Sequence, residues 1–359
     1  MVLDEYRFKS TVLGYFQKRG WCFDPKNGIL EKGYSNSFST KRHVNYLSDD
    51  LCFFNRIHDL FANTEFNCLK SNQLKNQKND TDLIIAGYQV VLNQINLNME
   101  VKQNSFYCFQ PVVRLNNISE CGVNEGFLTS FVNICLVDVD TTIDEYIQHI
   151  DWWITLLSKL SLHVSGLKLV FKTKTTAFNG LGIEFQYKGI EIGQANLYYY
   201  SNKNQSFYVS DFGFGYERLL WAINGGQFFF VPLFDKYDVL FSNIAECDKL
   251  RAAVLLAMTG IKPSSSGVGK HIRMLMSHVR HIGREKQLDS RIYRYYVYYN
   301  KFIDAKFSFE QTLHILRSEI HSTLLKATYN AYGLNCPKEL SGNLFADYET
   351  LYFKLKNNT

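Results

Sequence analysis

The sequence has no long apolar run, no paired-cysteine motif and no targeting signal at its start. No stretch approaches the ~20 consecutive apolar residues of a membrane helix, so we expect no membrane partner. The first residues lack the basic and apolar regions of a signal peptide. The eight cysteines contain no C-x-x-C pair, which argues against a zinc ribbon or a disulfide framework. These absences predict a cytoplasmic protein.

Several common catalytic motifs are also missing or incomplete. Neither G-x-S-x-G nor H-E-x-x-H occurs in the sequence. Segment 213–218 lacks the third glycine and the βαβ setting of a dinucleotide fingerprint. In segment 267–270 the lysine of a potential P-loop is followed by His271 instead of Ser or Thr. His271, His278 and His281 have no evident fourth ligand, so we predict no metal site there.

The composition is typical of a globular protein, with 46% apolar and 20% charged residues. The 359 residues are enough for one large domain and a smaller one. The formal net charge of +5 mildly favours anionic partners and does not demonstrate nucleic-acid binding. We interpret the 15% aromatic content first as core packing and second as a base-stacking surface.

Strand patterns dominate the first two-thirds of the chain. We predict a helix over 3–19 with Tyr6, Val12, Leu13 and Phe16 on one apolar side, and another helix capped at 140–142. Residues 24–80 are predicted to be an irregular insertion with a short helix. The predicted strands are 83–92, 106–114, 127–139, 167–172, 183–187, 190–200 and 207–209.

Helix patterns occupy the last third of the chain, from about residue 239 onward, with boundaries near Gly260, Gly283 and Phe307. This segregation predicts an α+β fold: an antiparallel β-sheet flanked by helices, followed by a C-terminal helical domain. Strands and helices do not alternate regularly, which argues against a doubly wound parallel sheet. We place the two domains at 1–240 and 241–359.

Segment 211–220, Asp-Phe-Gly-Phe-Gly-Tyr-Glu-Arg-Leu-Leu, is the most informative part of the sequence. Its two glycines are predicted to form a turn after the aromatic strand, and a helix then starts with Arg218 in its first turn. A helix start favours anions through its N–H groups and dipole, and an arginine strengthens such a site. Asp211 is suited to hold an ammonium group. The segment therefore predicts a site for a nucleotide beside an amine.

Arg114 is a second candidate for phosphate binding. It ends the apolar strand Gln-Pro-Val-Val-Arg of 110–114 and begins a polar loop. A guanidinium in such a position binds phosphate in a bidentate manner. Together with Arg218, it would supply one arginine from a strand and one from a helix to the same sheet.

This combination resembles the catalytic part of an alanyl-tRNA synthetase, a member of the class II aminoacyl-tRNA synthetases. Segment 110–114 is similar to the Gln-x-x-x-Arg of class II motif 2, and 211–219 is similar to motif 3, D-x-G-x-G-x-E-R. Segments 248–251 and 260–264 resemble the Asp-His-x-Arg and G-x-x-P-S of the family's helical domain. The resemblance spans most of the chain except about 24–80.

The resemblance implies an ATP-dependent, adenylate-forming aminoacyl ligase that uses ATP with Mg²⁺. Its catalytic residues would be Arg114, which holds the α-phosphate and the amino-acid carboxylate, and Arg218, which lies against adenine and the γ-phosphate. Glu191 and Glu217 would lie in the metal–phosphate neighbourhood of the ATP site.

The resemblance also implies an amino-acid site at Asp211, which would bind the substrate's α-ammonium group, with Gly213 beside it. Adenylation builds negative charge on phosphorus in line with an attacking carboxylate, so fixed cations stabilise the transition state without a general base. Class II catalytic sheets usually dimerise, and we therefore expect a homodimer.

The sequence departs from the family at positions that contact nucleotide and tRNA. Residues 118–121 replace a Lys-His-Asn-Asp run in the motif 2 loop, and strand 131–136 differs so that the adenine-stacking aromatic is expected to be replaced. The amino-acid pocket segment is shortened to about 173–182. Ser265 and Val268 replace an asparagine and an arginine near the tRNA acceptor stem.

The resemblance includes neither the editing domain nor the C-terminal module of full-length alanyl-tRNA synthetases. Editing is needed against near-isosteric amino acids, because a pocket discriminates by only ~1–3 kcal/mol per methylene. We therefore expect transfer of the activated amino acid to a non-tRNA acceptor, such as a small molecule, peptide or carrier protein. Two alternatives are a minimal ligase that reads the tRNA acceptor stem through the basic region 273–286, and a non-catalytic paralogue with a binding or regulatory role.

Overall fold

A computed structural model describes residues 4–32, 50–70, 73–76, 82–94, 104–172, 180–201, 206–225, 228, 244–282 and 287–337, with single positions at 347, 350, 351 and 354. The predicted helix boundary at Gly283 lies outside the described residues, as does most of the predicted pocket segment 173–182.

The described strands form one nine-stranded sheet with the order β1-β2-β6-β7-β8-β9-β5-β4-β3. All neighbours pair antiparallel except β3 and β4, which pair parallel. The strands are β1 (Trp21–Asp24), β2 (Ile29–Lys32), β3 (Asn67–Cys68), β4 (Asn104–Val113), β5 (Ser130–Thr141), β6 (Leu167–Phe171), β7 (Gly180–Tyr187), β8 (Ile190–Ser201) and β9 (Ser206–Gly215).

Helices flank this sheet and form the C-terminal part of the described chain, which confirms the predicted α+β architecture. The helices are α1 (Glu5–Gln17), α2 (Asp50–Ala62), α3 (Gly87–Gln94), α4 (Ile143–Lys159), α5 (Tyr216–Asn224), α6 (Ile244–Met258), α7 (Gly269–Ser277), α8 (Leu288–Tyr299) and α9 (Phe309–Ala331). In the insertion predicted over 24–80, α2 is the expected short helix, whereas β2 and β3 were not expected.

Helix α4 begins at its predicted cap, and α1 also has a side-chain cap. Thr142 and Glu145 form a reciprocal capping box at the start of α4, and Asp4 caps α1. The burial of Val12 and Phe16 confirms the predicted apolar side of α1, but the prediction for Tyr6 was wrong, because its side chain is 83% exposed. The helix turns Phe8 inward, and Tyr6 is two positions away on the opposite side.

One face of the sheet carries most of the hydrophobic core. On β5 and β9 the alternating residues Ile134, Leu136, Phe212 and Phe214 face α4 and are buried. The Phe214 ring stacks on Trp153 of α4 with a centroid distance of 3.9 Å. The opposite face of these strands carries glycines and polar side chains toward the middle of the sheet, which leaves space there for a ligand.

The C-terminal helices pack directly on this sheet. Helix α6 is buried on all sides and contacts β5 as well as α7, α8 and α9. Burial on all sides is typical of a helix in a core position. No described helix is long and apolar enough to cross a membrane.

Two local predictions were wrong. The strand expected over 83–92 is instead a coil followed by α3, in which the Gln89 side chain accepts hydrogen bonds from the N–H groups of Ile85 and Ala86. The turn expected after 207–209 is instead a continuation of β9 to Gly215. Gly213 is needed for close packing rather than for a turn, since an added Cβ would lie 2.9 Å from Oδ1 of Asn133.

Candidate functional site

The polar middle of the sheet is the floor of a pocket with a volume of about 210 Å³. Its floor comes from β5, β8 and β9, and its walls come from the end of β4, the start of α5 and segment 85–88. Five of the residues predicted from the sequence line this pocket: Arg114, Glu191, Asp211, Gly213 and Arg218. The strand order explains how residues about 100 positions apart meet, because β9 pairs with both β8 and β5.

Arg114 follows β4 directly and reaches across the pocket wall. Its Nε and Nη2 donate to the carbonyl oxygen of Ile85 at 3.1 and 2.8 Å. Its guanidinium carbon lies 4.9 Å from the centroid of the Phe131 ring. Reduced hydration and, second, the positive charge of Arg218 lower the pKa of Arg114. Two arginines that repel each other in this way favour a ligand with concentrated negative charge.

Arg218 lies in the first turn of α5, as predicted, and is anchored by two backbone carbonyls. Its Nε donates to Gly126 at 3.0 Å and its Nη1 donates to Glu191 at 2.7 Å. Its Nη1 also lies 3.7 Å from Oε1 of the Glu191 carboxylate. These contacts hold the guanidinium between the β4–β5 loop and β8, so its position is fixed before any ligand binds.

Asp211 is the most unusual residue of the pocket. Its side chain is almost completely buried, and its Oδ1 has no hydrogen-bond partner among the described residues. Burial raises its pKa to about 7, although Arg114, the Tyr88 N–H group and Lys172 each oppose this effect. A buried carboxylate oxygen without a partner is costly for the folded protein, so the charged form of Asp211 is suited to a positively charged ligand group.

Glu191 stands at the side of the pocket next to Arg218. Its Oε1 accepts a hydrogen bond of 2.6 Å from Nε2 of Gln194. Within the described residues no group of three or more His, Cys, Asp or Glu side chains is arranged to hold a metal ion. A lone carboxylate suits a hydrated Mg²⁺ ion that is held mainly by substrate phosphates.

Phe131 is a pocket residue that the sequence reasoning missed. The aromatic that stacks on adenine was expected to be replaced on this strand, but Phe131 lines the pocket beside Arg114. The neighbouring residues Val132 and Ile134 point into the core instead. Which residues of β5 line the pocket therefore depends on the alternation of side chains along the strand. The sequence did not show where that strand begins, so it did not identify Phe131.

Glu217 is the one predicted site residue that does not line the pocket. It is fully buried behind the site, where its carboxylate accepts from the Val132 N–H at 3.2 and 3.1 Å and from the Tyr298 hydroxyl at 3.0 Å. Nη1 of Arg251 lies 3.8 Å from Oε1 of Glu217. Burial raises the pKa of Glu217 to about 7, with Arg251 opposing. Its contacts connect α5 to the sheet and to the C-terminal helices.

Comparisons with known proteins give a partial structural likeness. No family model and no curated protein matches the sequence. Among the solved structures that match is PylSc of Desulfitobacterium hafniense, a pyrrolysyl tRNA synthetase, with a TM-score of 0.36 and 13% sequence identity. The overlap covers 49% of this chain and 67% of that chain. The roles proposed below rest on this chain's own residues.

Proposed function

We propose that this protein activates an amino acid with ATP by forming an aminoacyl-adenylate. The observation that carries the proposal is the pocket in which the buried Asp211 carboxylate lies with two guanidinium groups and an aromatic ring. An anion site alone is common at a helix start. A carboxylate beside that site favours ligands that bring a negative phosphate and a positive ammonium group together. An amino acid and a nucleotide triphosphate form such a pair.

In this proposal Asp211 binds the α-ammonium group of the amino acid. The amino-acid carboxylate then lies near Arg114, whose guanidinium also binds the α-phosphate. The carboxylate oxygen attacks the α-phosphorus, the bond to the bridging oxygen breaks, and pyrophosphate leaves. Arg114 and Arg218 stabilise the charge that develops on the phosphate oxygens, because preorganised cations in a partly dehydrated site need little reorganisation.

The volume of the pocket limits how much of the two ligands it can enclose. A volume of about 210 Å³ is below the ~300–1,000 Å³ of pockets that enclose a drug-sized ligand. We therefore place the amino acid and the α-phosphate in the enclosed part. The adenine base would lie at the open edge, where Phe131 and Arg218, which both line the pocket, offer stacking and cation–π contacts.

Magnesium is expected to accompany ATP, and Glu191 is the residue that fits it. Its carboxylate is next to Arg218 on the pocket side of β8, where the β- and γ-phosphates would lie. A bound Mg²⁺ ion would neutralise part of the phosphate charge. Glu217 is too deeply buried for this role.

We propose a non-tRNA acceptor for the activated amino acid, such as a small molecule, peptide or carrier protein. Support comes from the helical region, where exposed basic side chains of α7 are already paired with acidic ones. Lys270 lies 3.3 Å from Asp82, and Arg273 lies 3.5 Å from Glu319. A strong nucleic-acid surface keeps such charges available for phosphate.

The second candidate is a minimal aminoacyl-tRNA ligase. It is favoured by Arg280, an exposed basic side chain that follows α7. Charging of an acceptor-stem minihelix by the intact protein separates the two candidates. Minihelix charging above background would replace the non-tRNA acceptor in the proposal and leave adenylation intact.

Amino-acid-dependent exchange of labelled pyrophosphate into ATP tests the activation step directly. We expect exchange with at least one of the twenty standard amino acids. Binding of ATP without exchange for any of them would instead support a binding or regulatory paralogue.

A further inference from the structure

A lysine lies on the pocket face of the sheet, beyond Asp211. Lys172 directly follows β6, and its backbone N–H donates to the Gly182 carbonyl of β7 at 3.0 Å. Its Nζ donates to Oε1 of Gln194 at 2.7 Å and to Oδ1 of Asn196 at 3.3 Å. Gln194 and Asn196 both line the pocket from β8. The lysine stem therefore crosses β7 and brings its ammonium group against two side chains of the pocket lining.

Gly182 makes this crossing possible. A Cβ at this position would lie 2.8 Å from Oδ1 of Asn196 and 3.3 Å from Cδ of Lys172. Any other residue at 182 would displace the lysine stem from β7. Because Gly182 has no side chain, the Lys172 stem can lie across β7 at this position.

The ammonium group of Lys172 and the carboxylate of Asp211 lie on the same face of the sheet. Asn196, which holds Lys172, is directly paired with Asp211 across β8 and β9. Neighbouring strands are ~4.8 Å apart, so a small molecule spans the two groups. Burial lowers the pKa of Lys172, whereas the nearby carboxylates of Glu191, Glu184 and Asp211 raise it.

The contacts with Lys172 fix the orientation of the amide groups of Gln194 and Asn196. Because a lysine ammonium only donates, it binds the oxygen of each amide, and the NH₂ groups point elsewhere. The NH₂ group of Gln194 donates to Glu191 at 2.6 Å. The NH₂ group of Asn196 and the ammonium of Lys172 are both donors, and they lie beside the place that we assign to the substrate's ammonium group.

We propose that the amino acid activated at this site carries a side-chain carboxylate, as aspartate and glutamate do. Its α-ammonium group binds Asp211, its α-carboxylate faces Arg114, and its side-chain carboxylate accepts hydrogen bonds from Lys172 and Asn196. This inference rests on the proposed adenylation and adds the class of substrate.

The test is pyrophosphate exchange with aspartate, glutamate, asparagine, alanine and serine. It compares the wild-type protein with Lys172→Met, which keeps the apolar stem, and with Lys168→Met as a matched control. Lys168 lies on the same strand face, four residues before Lys172, where it is exposed and lies 3.7 Å from Glu31. Thermal unfolding of each variant checks that it is folded, and Lys172→Gln serves if Lys172→Met is not.

We expect an acidic amino acid to have the highest kcat/KM in the wild-type protein. Lys172→Met should lower that value by about 10- to 100-fold, as for the loss of a charge-assisted hydrogen bond, and change the values for neutral amino acids less than about threefold. Lys168→Met should leave all values unchanged. A neutral amino acid as the best substrate, or an equal loss for all amino acids in Lys172→Met, would overturn the inference alone. No exchange with any amino acid would overturn the adenylation proposal and this inference with it.

Discussion

At the scale of single residues, Asp211 combines a carboxyl group with almost complete burial. Its Oδ1 lacks a partner among the described residues, and its pKa is raised to about 7. The folded protein therefore accepts a destabilising group at the centre of its sheet. Such a group is retained when it serves binding, because a ligand ammonium would recover the lost interactions.

We predict that Asp211→Asn stabilises the protein while it abolishes activation. The raised pKa means that the folded state disfavours the charged form, so stability falls as the pH rises from about 4 to about 7. Removal of the charge should increase the free energy of unfolding by about 1–3 kcal/mol at pH 8, since one pKa unit corresponds to ~1.4 kcal/mol. Urea denaturation at pH 8 and pH 4 measures this gain. A variant that is less stable than the wild-type protein at pH 8 would contradict the assignment.

The pKa of Asp211 also predicts how amino-acid binding depends on pH. With a pKa of about 7, roughly one-tenth of the carboxyls are ionised at pH 6 and three-quarters at pH 7.5. Only the ionised form binds an ammonium group, so KM for the amino acid should fall by roughly eightfold over this range. Steady-state exchange kinetics measure it, with Glu217→Gln as the control that keeps the slope. A KM that does not change with pH would exclude Asp211 as the ammonium ligand.

The sequence was sufficient to find four charged residues that line the pocket, Arg114, Glu191, Asp211 and Arg218, and insufficient to find its other contacts. Arg114, Asp211 and Arg218 stand out because an arginine at a strand end or a helix start, and an aspartate among glycines, are rare in a core. Phe131 and Lys172 carry no such signal, because their placement depends on strand register and on a gap at Gly182. Register is set by pairing across the sheet, which one sequence does not specify.

At the scale of secondary-structure elements, a buried polar network joins the sheet to the C-terminal helices. Arg251 of α6 is completely buried, lies 3.1 Å from Asp248 and donates to the carbonyl of Ser130. Asp248 accepts from the Thr129 N–H at 3.2 and 3.0 Å. The network continues to Glu217, which adjoins Arg218 in the chain. It therefore supports the pocket from behind.

We predict a large loss of stability for Arg251→Met. The change leaves the carboxylates of Asp248 and Glu217 buried without their cation, which typically costs about 3–5 kcal/mol. Arg273→Met is the matched control, since it removes an exposed pair with Glu319 and should cost less than about 1 kcal/mol. Urea denaturation of both variants gives the comparison. Equal losses would show that the network does not hold α6 on the sheet.

Element types followed from the sequence where the local signals were strong. Helix α4 was predicted because its capping residues and its apolar spacing agree. The strand predicted over 83–92 was wrong because a short apolar run fits a strand or a helix equally well. The Gln89 side chain, which accepts hydrogen bonds from the N–H groups of Ile85 and Ala86, gives no such signal in the sequence. The turn predicted at Gly213 and Gly215 was wrong for a different reason. These glycines leave space within the sheet, whereas glycine was taken as the signal of a turn.

At the scale of the whole molecule, the sheet and the C-terminal helices share one hydrophobic core. Apolar residues of α6, α8 and α9 belong to the same buried cluster as those of β5 and β9. The division of the chain into 1–240 and 241–359 stays a prediction, as does the homodimer. The Arg251–Glu217 pair adds a polar contact between the helical region and the sheet behind the pocket.

The most direct measurement is pyrophosphate exchange by the wild-type protein, Arg114→Ala, Arg218→Ala and the control Arg273→Ala. We expect amino-acid-dependent exchange in the wild-type protein and the control, and a loss of about 100-fold or more in each pocket variant, because each removes a cation from the reacting phosphate. Absence of exchange in the folded wild-type protein for every amino acid, or exchange that survives in both pocket variants, would contradict it.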